Sequence, residues 1–339
     1  MSSKTEPSPA ARVRRLSNSV HDAAIVRAAA ELGLADAVGD GPTPVREIAA
    51  KVDAEPKALA RLLRALAAYG IFEQVTPDAY QHTEMSRSMR RDAPGGLIHT
   101  LLTPADWGWV MWGKLADAVR AGKCLFPDVF GTDFFTYLKD HPDAQARMFR
   151  GMTSWSDQMN PQLVRALPLE GARTVADMGG GEGTLLRAIL EHNPHLSGVW
   201  FDIEPTLAVV DDELLSGPLS ERCALVTGDY FREVPFDADV YVFKLTLHMY
   251  EDDDSEQILR NVAASAKPGA RIVIADPLLQ DPPESKFVPS MDLHMLLVMG
   301  GKERTEQDYA ALFERAGLDF EGITPTGTDL HLAVARVRG

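Results

Sequence analysis

The chain has 339 residues, 45% of them hydrophobic and 24% charged, a balance that suits a folded protein of about two domains with ample core material. Its 34 basic against 49 acidic side chains leave a net charge of -15; this argues against a general nucleic-acid binder, which must neutralise phosphates, and is compatible with a cationic ligand. Cys124 and Cys223 are too few and too distant for a cysteine-rich metal cluster. With no apolar signal core or span-length apolar run, they point to a cytoplasmic protein that does not enter a membrane.

Residues 1–10 are expected to form a disordered tail. Over residues 11–91 apolar positions recur at helical spacing. "VHDAAIVRAAAELGLADAV" is Ala-rich and amphipathic and is stopped by "GDGPTP". "TPVREIAAKVDAEPKALARLLRALAAYGIFEQV" reads as a short helix, a tight turn at "DAEP", a second helix and a stop at Gly70, and "IFEQVTPDAYQHT" as a small hairpin. Together they suggest a mostly helical winged-helix region, which opens the reading of a DNA-binding regulator. Lys57, Arg61 and Arg64 share one face of the second helix, as a DNA-reading helix requires. The same three residues form a solvated face opposite Leu59, Leu62, Leu63 and Leu66. Glu47, Asp53, Glu55 and Glu73 dilute any basic footprint there.

Residues 92–164 read as a helical connector rich in aromatics, as in "WGWVMWGKL" and "RMFRGMTSWSDQM". Such clusters pack a core or line a pocket for a flat, apolar ligand. Over residues 165–339 the pattern changes. "RTVADM", "SGVWFD", "CALVTG", "ADVYVFKLTL" and "ARIVIAD" are strand-like runs separated by helical stretches, the signature of an α/β domain with a parallel sheet. The end of the chain, "AGLDFEGITPTGTDLHLAVARV", holds two strands around one turn, which predicts a C-terminal antiparallel hairpin.

The strongest motif is "VADMGGGEGTLLRAIL". A strand ending at Asp177 runs into Gly179, Gly180, Gly181 and Gly183, and a helix begins near Thr184. The glycines allow a sharp turn and close approach to a ligand. No Gly-Lys-Ser/Thr follows, so a nucleoside-triphosphate loop is excluded. An acid just before the glycines repels a phosphate but suits an ammonium group. The loop therefore fits an amino-acid-bearing nucleoside. Asp202 follows Gly181 by about the 20 residues expected of a ribose-binding acid, and Asp229 ends the third strand with Phe231 beside it. Each acid alone reads as a helix cap; all three at strand ends beside a glycine loop read as a ligand site.

"DMGGGEG", "FDIEP", "GDYF", "FKLTLH" and "GGKERTEQDYAALFERAGL", in this order, resemble the S-adenosylmethionine-dependent small-molecule O-methyltransferases. These are the caffeic-acid-type plant enzymes and their bacterial relatives in natural-product tailoring. The resemblance covers almost the whole chain. It implies a Rossmann-like class I methyltransferase sheet, and a winged-helix domain that mediates homodimerisation in place of DNA binding. It places Asp177, Gly179, Gly181, Asp202, Asp229, Phe231 and Lys244 around the cofactor. His248 takes the position of the general base, flanked by Asp276 and Glu303. Met152, Trp155, Met159, Met291 and Asp292 fall where the family lines its acceptor pocket.

That chemistry suits the residue types. Methyl transfer from a sulfonium needs aligned reactants and a deprotonated acceptor, and a histidine titrating near pH ~6.5 can remove a phenolic proton. A carboxylate on its other nitrogen would fix the tautomer. The chain departs from the family's usual Leu-His-Asp-Trp, having Met249 and Tyr250 after His248, and it has Asp276 where plant members often carry Glu. Two other readings stay open: a cofactor-binding relative with non-methylating chemistry (hydroxylase, decarboxylase or pericyclase), and a metal-assisted enzyme using His248, Asp276 and His294. Within "KLTLHMYEDDDS", Lys244 to His248 is expected to end the fourth strand, and "EDDDS" to start the next helix.

Overall fold

The computed structural model describes residues 7–93, 95–103 and 106–339. They form two compact units, one of residues up to 105 together with 146–154, the other of 106–145 together with 155–339. No helix among the described residues is long and apolar enough to cross a membrane.

The first unit opens with the helix Pro9–Glu31. The Ser8 hydroxyl accepts from the Ala11 N–H at 3.3 Å, and Pro9 sits at the first turn, where its missing N–H costs nothing. Order therefore begins within the tail expected over residues 1–10; its first six residues lie outside the described ones. Strands β1 (Thr43–Pro44), β2 (Phe72–Thr76) and β3 (Ala79–His82) form an antiparallel sheet in the order β1-β3-β2. The helix Pro56–Ala68 buries Leu59, Leu63 and Leu66 against Ile48, Phe72 and Tyr80. Lys57, Arg61 and Arg64 stand on its exposed face.

The second unit is built on seven strands: β4 (Thr174–Met178), β5 (Ser197–Asp202), β6 (Cys223–Thr227), β7 (Val240–Lys244), β8 (Arg271–Pro277), β9 (Leu318–Pro325) and β10 (Leu330–Val337). Their order is β6-β5-β4-β7-β8-β10-β9, parallel except that β10 runs antiparallel to both β8 and β9. The predicted hairpin is thus β9–β10. Leu185, Leu186, Ile189 and Leu190 cover one face from the helix Thr184–His192. Ile258, Leu259, Val262, Leu312 and Phe313 cover the other from the helices Asp252–Ser265 and Glu306–Arg315. The chain winds outward from β4 to β6 and then returns to β7. That reversal leaves a crevice beyond the carboxyl ends of β4 and β7, where ligands of such sheets bind.

Candidate active site

On one side of this crevice β4 delivers Asp177 and the glycine loop. A Cβ added to Gly180 would meet Trp200 Cδ1 at 2.5 Å, so the loop lies directly against a buried indole. Gly181 has φ +54° and nothing within 4 Å of where its Cβ would stand. The loop is packed at one glycine and open at the next, the form of a cradle. The Gly181 N–H donates to Asp202 Oδ2 at 2.9 Å, while Asp202 Oδ1 accepts from Ile203 N and Thr206 Oγ1. Asp202 is therefore an acid fixed between the glycine loop and the residues that follow β5.

Asp177 is buried, and its Oδ2 has no hydrogen-bond partner among the described residues. Burial pushes its carboxyl up to about 7, with the Lys244 ammonium opposing. Lys244, at the end of β7, is brought down to about 8 by burial, against the attraction of Asp177 and Asp157. Its Nζ donates to Asn160 Oδ1 at 2.8 Å, and Asn160 Nδ2 reaches Thr184 Oγ1 at 3.4 Å. An orphaned carboxylate oxygen beside an open glycine is a fitting partner for a ligand's ammonium group. The residues present thus fit an amino-acid-bearing nucleoside.

Beyond β6, Asp229 Oδ1 accepts from the Phe231 N–H at 2.9 Å, and its other oxygen lies 3.5 Å from Arg232. Phe231 stands edge-on to Tyr250, with ring centroids 5.1 Å apart. The hydroxyls of Tyr230 and Tyr250 share a 2.8 Å hydrogen bond. Tyr230 in turn lies 3.8 Å from where a Cβ of Gly179 would stand. Tyr250, the departure from the usual tryptophan, is thereby tied to Tyr230.

The other side of the crevice carries His248. Contrary to the sequence expectation, β7 stops at Lys244 and does not extend to His248. Leu245 turns to φ +52° while still donating to Ala275 O, and His248 rides on a single 3₁₀ turn, Leu247–Met249. A leucine in that left-handed region costs ~1–2 kcal/mol, so its surroundings must hold it there. The His248 N–H donates to Asp276 Oδ2 at 3.1 Å, and His248 Nδ1 pairs with Glu303 Oε1 at 2.8 Å. The two carboxylates grip different parts of the residue, Asp276 its backbone and Glu303 its ring. With the Nδ1 proton donated to Glu303, Nε2 presents the lone pair. Burial lowers the imidazole's basicity, but the Asp276 and Glu303 charges outweigh it, so His248 titrates above its ordinary value. Burial holds both carboxyls above theirs.

Of the residues expected at an acceptor pocket, Trp155 meets Phe287 edge-on at 6.0 Å, and Met159 is buried. Met291 is half-buried, and Asp292 Oδ1 accepts from the Glu303 N–H at 2.9 Å. Asp292 therefore supports Glu303. Met152, on the same helix as Trp155 and Met159 (Pro142–Ala166), belongs to the first unit. The His294 ring lies between Trp107 and Trp112, with centroids 5.9 and 6.2 Å away. Burial, and after it His248, bring it down to about 4. Among the described residues no group of three or more His, Cys, Asp and Glu could hold a metal. His248, Asp276 and His294, the set of the metal-assisted reading, are not brought together as such a group.

Sequence reasoning passed over Asn160 and Arg304. Asn160 stands just outside the aromatic run singled out in its helix. Arg304 lies within the quoted "GGKERT", but nothing in a polar run signals that its arginine is fully buried.

Residues 112–319 match the model of the O-methyltransferase domain, and residues 15–92 that of the O-methyltransferase dimerisation domain. The chain belongs to the O-methyltransferase family. It is 33% identical to phenazine O-methyltransferase from Lysobacter antibioticus over 91% of this chain and 90% of that one. It is 35% identical to the mitomycin biosynthesis 6-O-methyltransferase of Streptomyces lavendulae over 89% and 87%. Among solved structures, it is similar to an O-methyltransferase of neocarzinostatin biosynthesis in complex with S-adenosylmethionine and 2-hydroxy-5-methyl naphthoic acid. That likeness has a TM-score of 0.82 and 28% identity, covering 93% of this chain and 96% of that one. As a member of this family the chain is an S-adenosylmethionine-dependent O-methyltransferase. Its winged-helix region is the family's dimerisation domain.

Proposed function

We propose that this chain methylates a hydroxyl of an aromatic or polyketide-type natural product, with His248 as general base. The observation that carries this reading is the His248 Nδ1–Glu303 hydrogen bond of 2.8 Å beside the crevice. With Nδ1 carrying the proton, Nε2 holds the lone pair that would take the acceptor's hydroxyl proton as the oxygen attacks. S-adenosylmethionine, when bound, supplies an electrophilic methyl group on a sulfonium.

Asp177, Gly179, Gly181, Asp202, Asp229, Phe231 and Lys244 would hold that cofactor, Asp177 accepting from its ammonium group. Glu303 stabilises the imidazolium that His248 becomes, and Asp276 fixes the turn beneath it. Trp155, Met159 and Met291 would line the acceptor's place. A flat apolar acceptor suits such aromatic and thioether surfaces. The chemistry named for the relatives, which act on phenazine and mitomycin compounds, supports the same class.

The chain would also pair with a second copy through its N-terminal domain. Along the helix Pro9–Glu31, Val13, Leu16 and Val20 form a stripe at helical spacing, exposed by 67%, 62% and 49%. The matching dimerisation domain supports this assembly.

Purified protein, S-adenosylmethionine and a panel of catechol, 1,4-dihydroxy-2-naphthoic acid and 2-hydroxy-5-methyl naphthoic acid test the reading. The expected result is an O-methylated product with one S-adenosylhomocysteine per turnover. A protein that binds the cofactor tightly yet releases no S-adenosylhomocysteine with any hydroxylated aromatic would point to the non-methylating relatives instead.

A further inference from the structure

The carbonyls that bracket His248 share one buried side chain as donor; Leu247 O also accepts from the Tyr250 N–H at 3.2 Å and from Ser255 Oγ at 3.4 Å. Arg304 has 0% exposure. Its Nη1 donates to Leu247 O at 3.0 Å, and its Nη2 to Tyr250 O at 2.9 Å and Ser255 Oγ at 3.0 Å. Its Nε donates to Asp252 Oδ1 at 3.0 Å. Leu247 and Tyr250 bracket His248, so one planar guanidinium spans the whole turn. A lysine, with a single nitrogen, cannot reach both carbonyls and the serine at once.

Arg304 is itself anchored. Its carbonyl accepts from the Leu279 N–H at 2.9 Å, which ties its backbone to the segment just after β8. Asp252, half-exposed, pairs with Lys302 at 2.7 Å as well as with Arg304, and so joins both ends of the segment 302–304 to the start of the helix Asp252–Ser265. Gly301 adds a steric contact from the same strip. A Cβ there would lie 2.2 Å from His248 O, 2.3 Å from the Met249 carbonyl carbon and 2.6 Å from Tyr250 N. Glu303, between Lys302 and Arg304, takes the His248 ring.

We infer that Arg304 is a positioning residue for methyl transfer. It holds the 3₁₀ turn so that the His248 ring stays directed at Glu303 and its Nε2 at the acceptor. Asp252 is the exposed end of this clamp. The inference rests on His248 being the base, but the orientation of the ring can be read without any turnover.

Two variants test it, Arg304→Lys and the milder Asp252→Asn, each alone and combined with His248→Ala. The acceptor is the best-used member of the panel above. The first readout is ¹⁵N NMR of the His248 imidazole in the ligand-free protein. The wild type should show the Nδ1–H form, and both variants a mixture of tautomers with a displaced titration. The second is kcat, expected to fall about 10- to 100-fold in Arg304→Lys and about 3- to 10-fold in Asp252→Asn. The cofactor's KM should stay within about threefold in both. Added to His248→Ala, neither substitution should lower kcat further, because the group being positioned is gone.

Unchanged tautomer and kcat in a folded Arg304→Lys protein would overturn the inference. Should Arg304→Lys fail to fold, the same result in Asp252→Asn would do so. Losses that multiply with that of His248→Ala would also overturn it, since a structural defect acts regardless of the base. If His248→Ala methylates normally while the tautomer still shifts, the base assignment falls and the clamp stands.

Discussion

His248 and Glu303 lie 55 residues apart in the chain, yet a 2.8 Å hydrogen bond joins the Nδ1 of one to the carboxylate of the other. The pair is buried, with side-chain exposures of 6% and 0%, so each group's charge acts on its partner with little screening. Removing the ring by His248→Ala should lower kcat about 100- to 10,000-fold while the cofactor's dissociation constant changes little. Product formation by mass spectrometry checks the first, titration calorimetry the second.

The same pair sets a pH dependence. As the proposed base, His248 must be neutral to accept a proton, and its titration is raised above the ordinary histidine value by Asp276 and Glu303 despite burial. The rate should therefore be low in acid and climb through an apparent pKa above ~6.5. Glu303→Gln removes one of the raising charges, so the climb should move to lower pH while the plateau falls about 10- to 100-fold. Profiles of kcat from acid to mild alkali, wild type against variant, decide the matter. A climb that moves to higher pH would contradict the assignment.

Cofactor affinity should titrate separately. The buried Asp177 carboxyl is pushed up to about 7, so it is protonated below that point and loses its charge there. Binding of S-adenosylmethionine should weaken as pH falls through about 7 and be strongest between there and pH ~8, where the ligand's own α-ammonium begins to lose its proton. Asp177→Asn, which lacks the ionisation, should bind about 10- to 100-fold more weakly near pH ~7.5, the worth of one charge-assisted hydrogen bond. Its affinity should be nearly flat across the same range. Calorimetric titrations at a series of pH values give both outcomes.

Gly180 offers a test of the loop's packing apart from its chemistry. A Cβ there would stand 2.5 Å from the buried Trp200 ring, which has no room to retreat. Gly180→Ala should destabilise the protein by about 1–3 kcal/mol, the usual penalty of overpacking. Urea denaturation measures this. The Trp200 indole, whose Nε1 donates to Gly181 O at 3.0 Å, should report a shifted fluorescence in the folded variant.

The N-terminal stripe predicts assembly. Leu16→Asp places a charge in the middle of the exposed apolar row of the first helix and should turn a dimer into a monomer in sedimentation velocity, without altering the helical circular dichroism. A wild-type protein that sediments as a monomer at micromolar concentration would remove the basis for this assembly.

Much was readable from the sequence because it depends on neighbours along the chain. The alternation of strand and helix after residue 165, the glycine loop after Asp177 and the turn between the last two strands are local patterns. Each is decided by side-chain period, by positive φ or by a missing Cβ. The roles of residues around His248 are of another kind. Its sequence neighbours suggested a continuing strand, but Leu245 leaves the sheet, and the contacts that hold it there come from Asp276, Gly301, Glu303 and Arg304. Whether Asp276 met the ring or the backbone of His248 depended on that turn, and no spacing rule contains it. The burial of Arg304, the junction of Tyr230 with Tyr250 and the use of Asp292 to hold Glu303 likewise follow from which segments the sheet brings together. From the sequence alone came a glycine loop after a strand-end acid and, through the family resemblance, His248 with Asp276 and Glu303 as a candidate base and its carboxylates. Only the tertiary structure decided which atom each carboxylate holds, because hydrogen bonds act over about 3 Å and the chain gives no such distances between residues far apart in sequence.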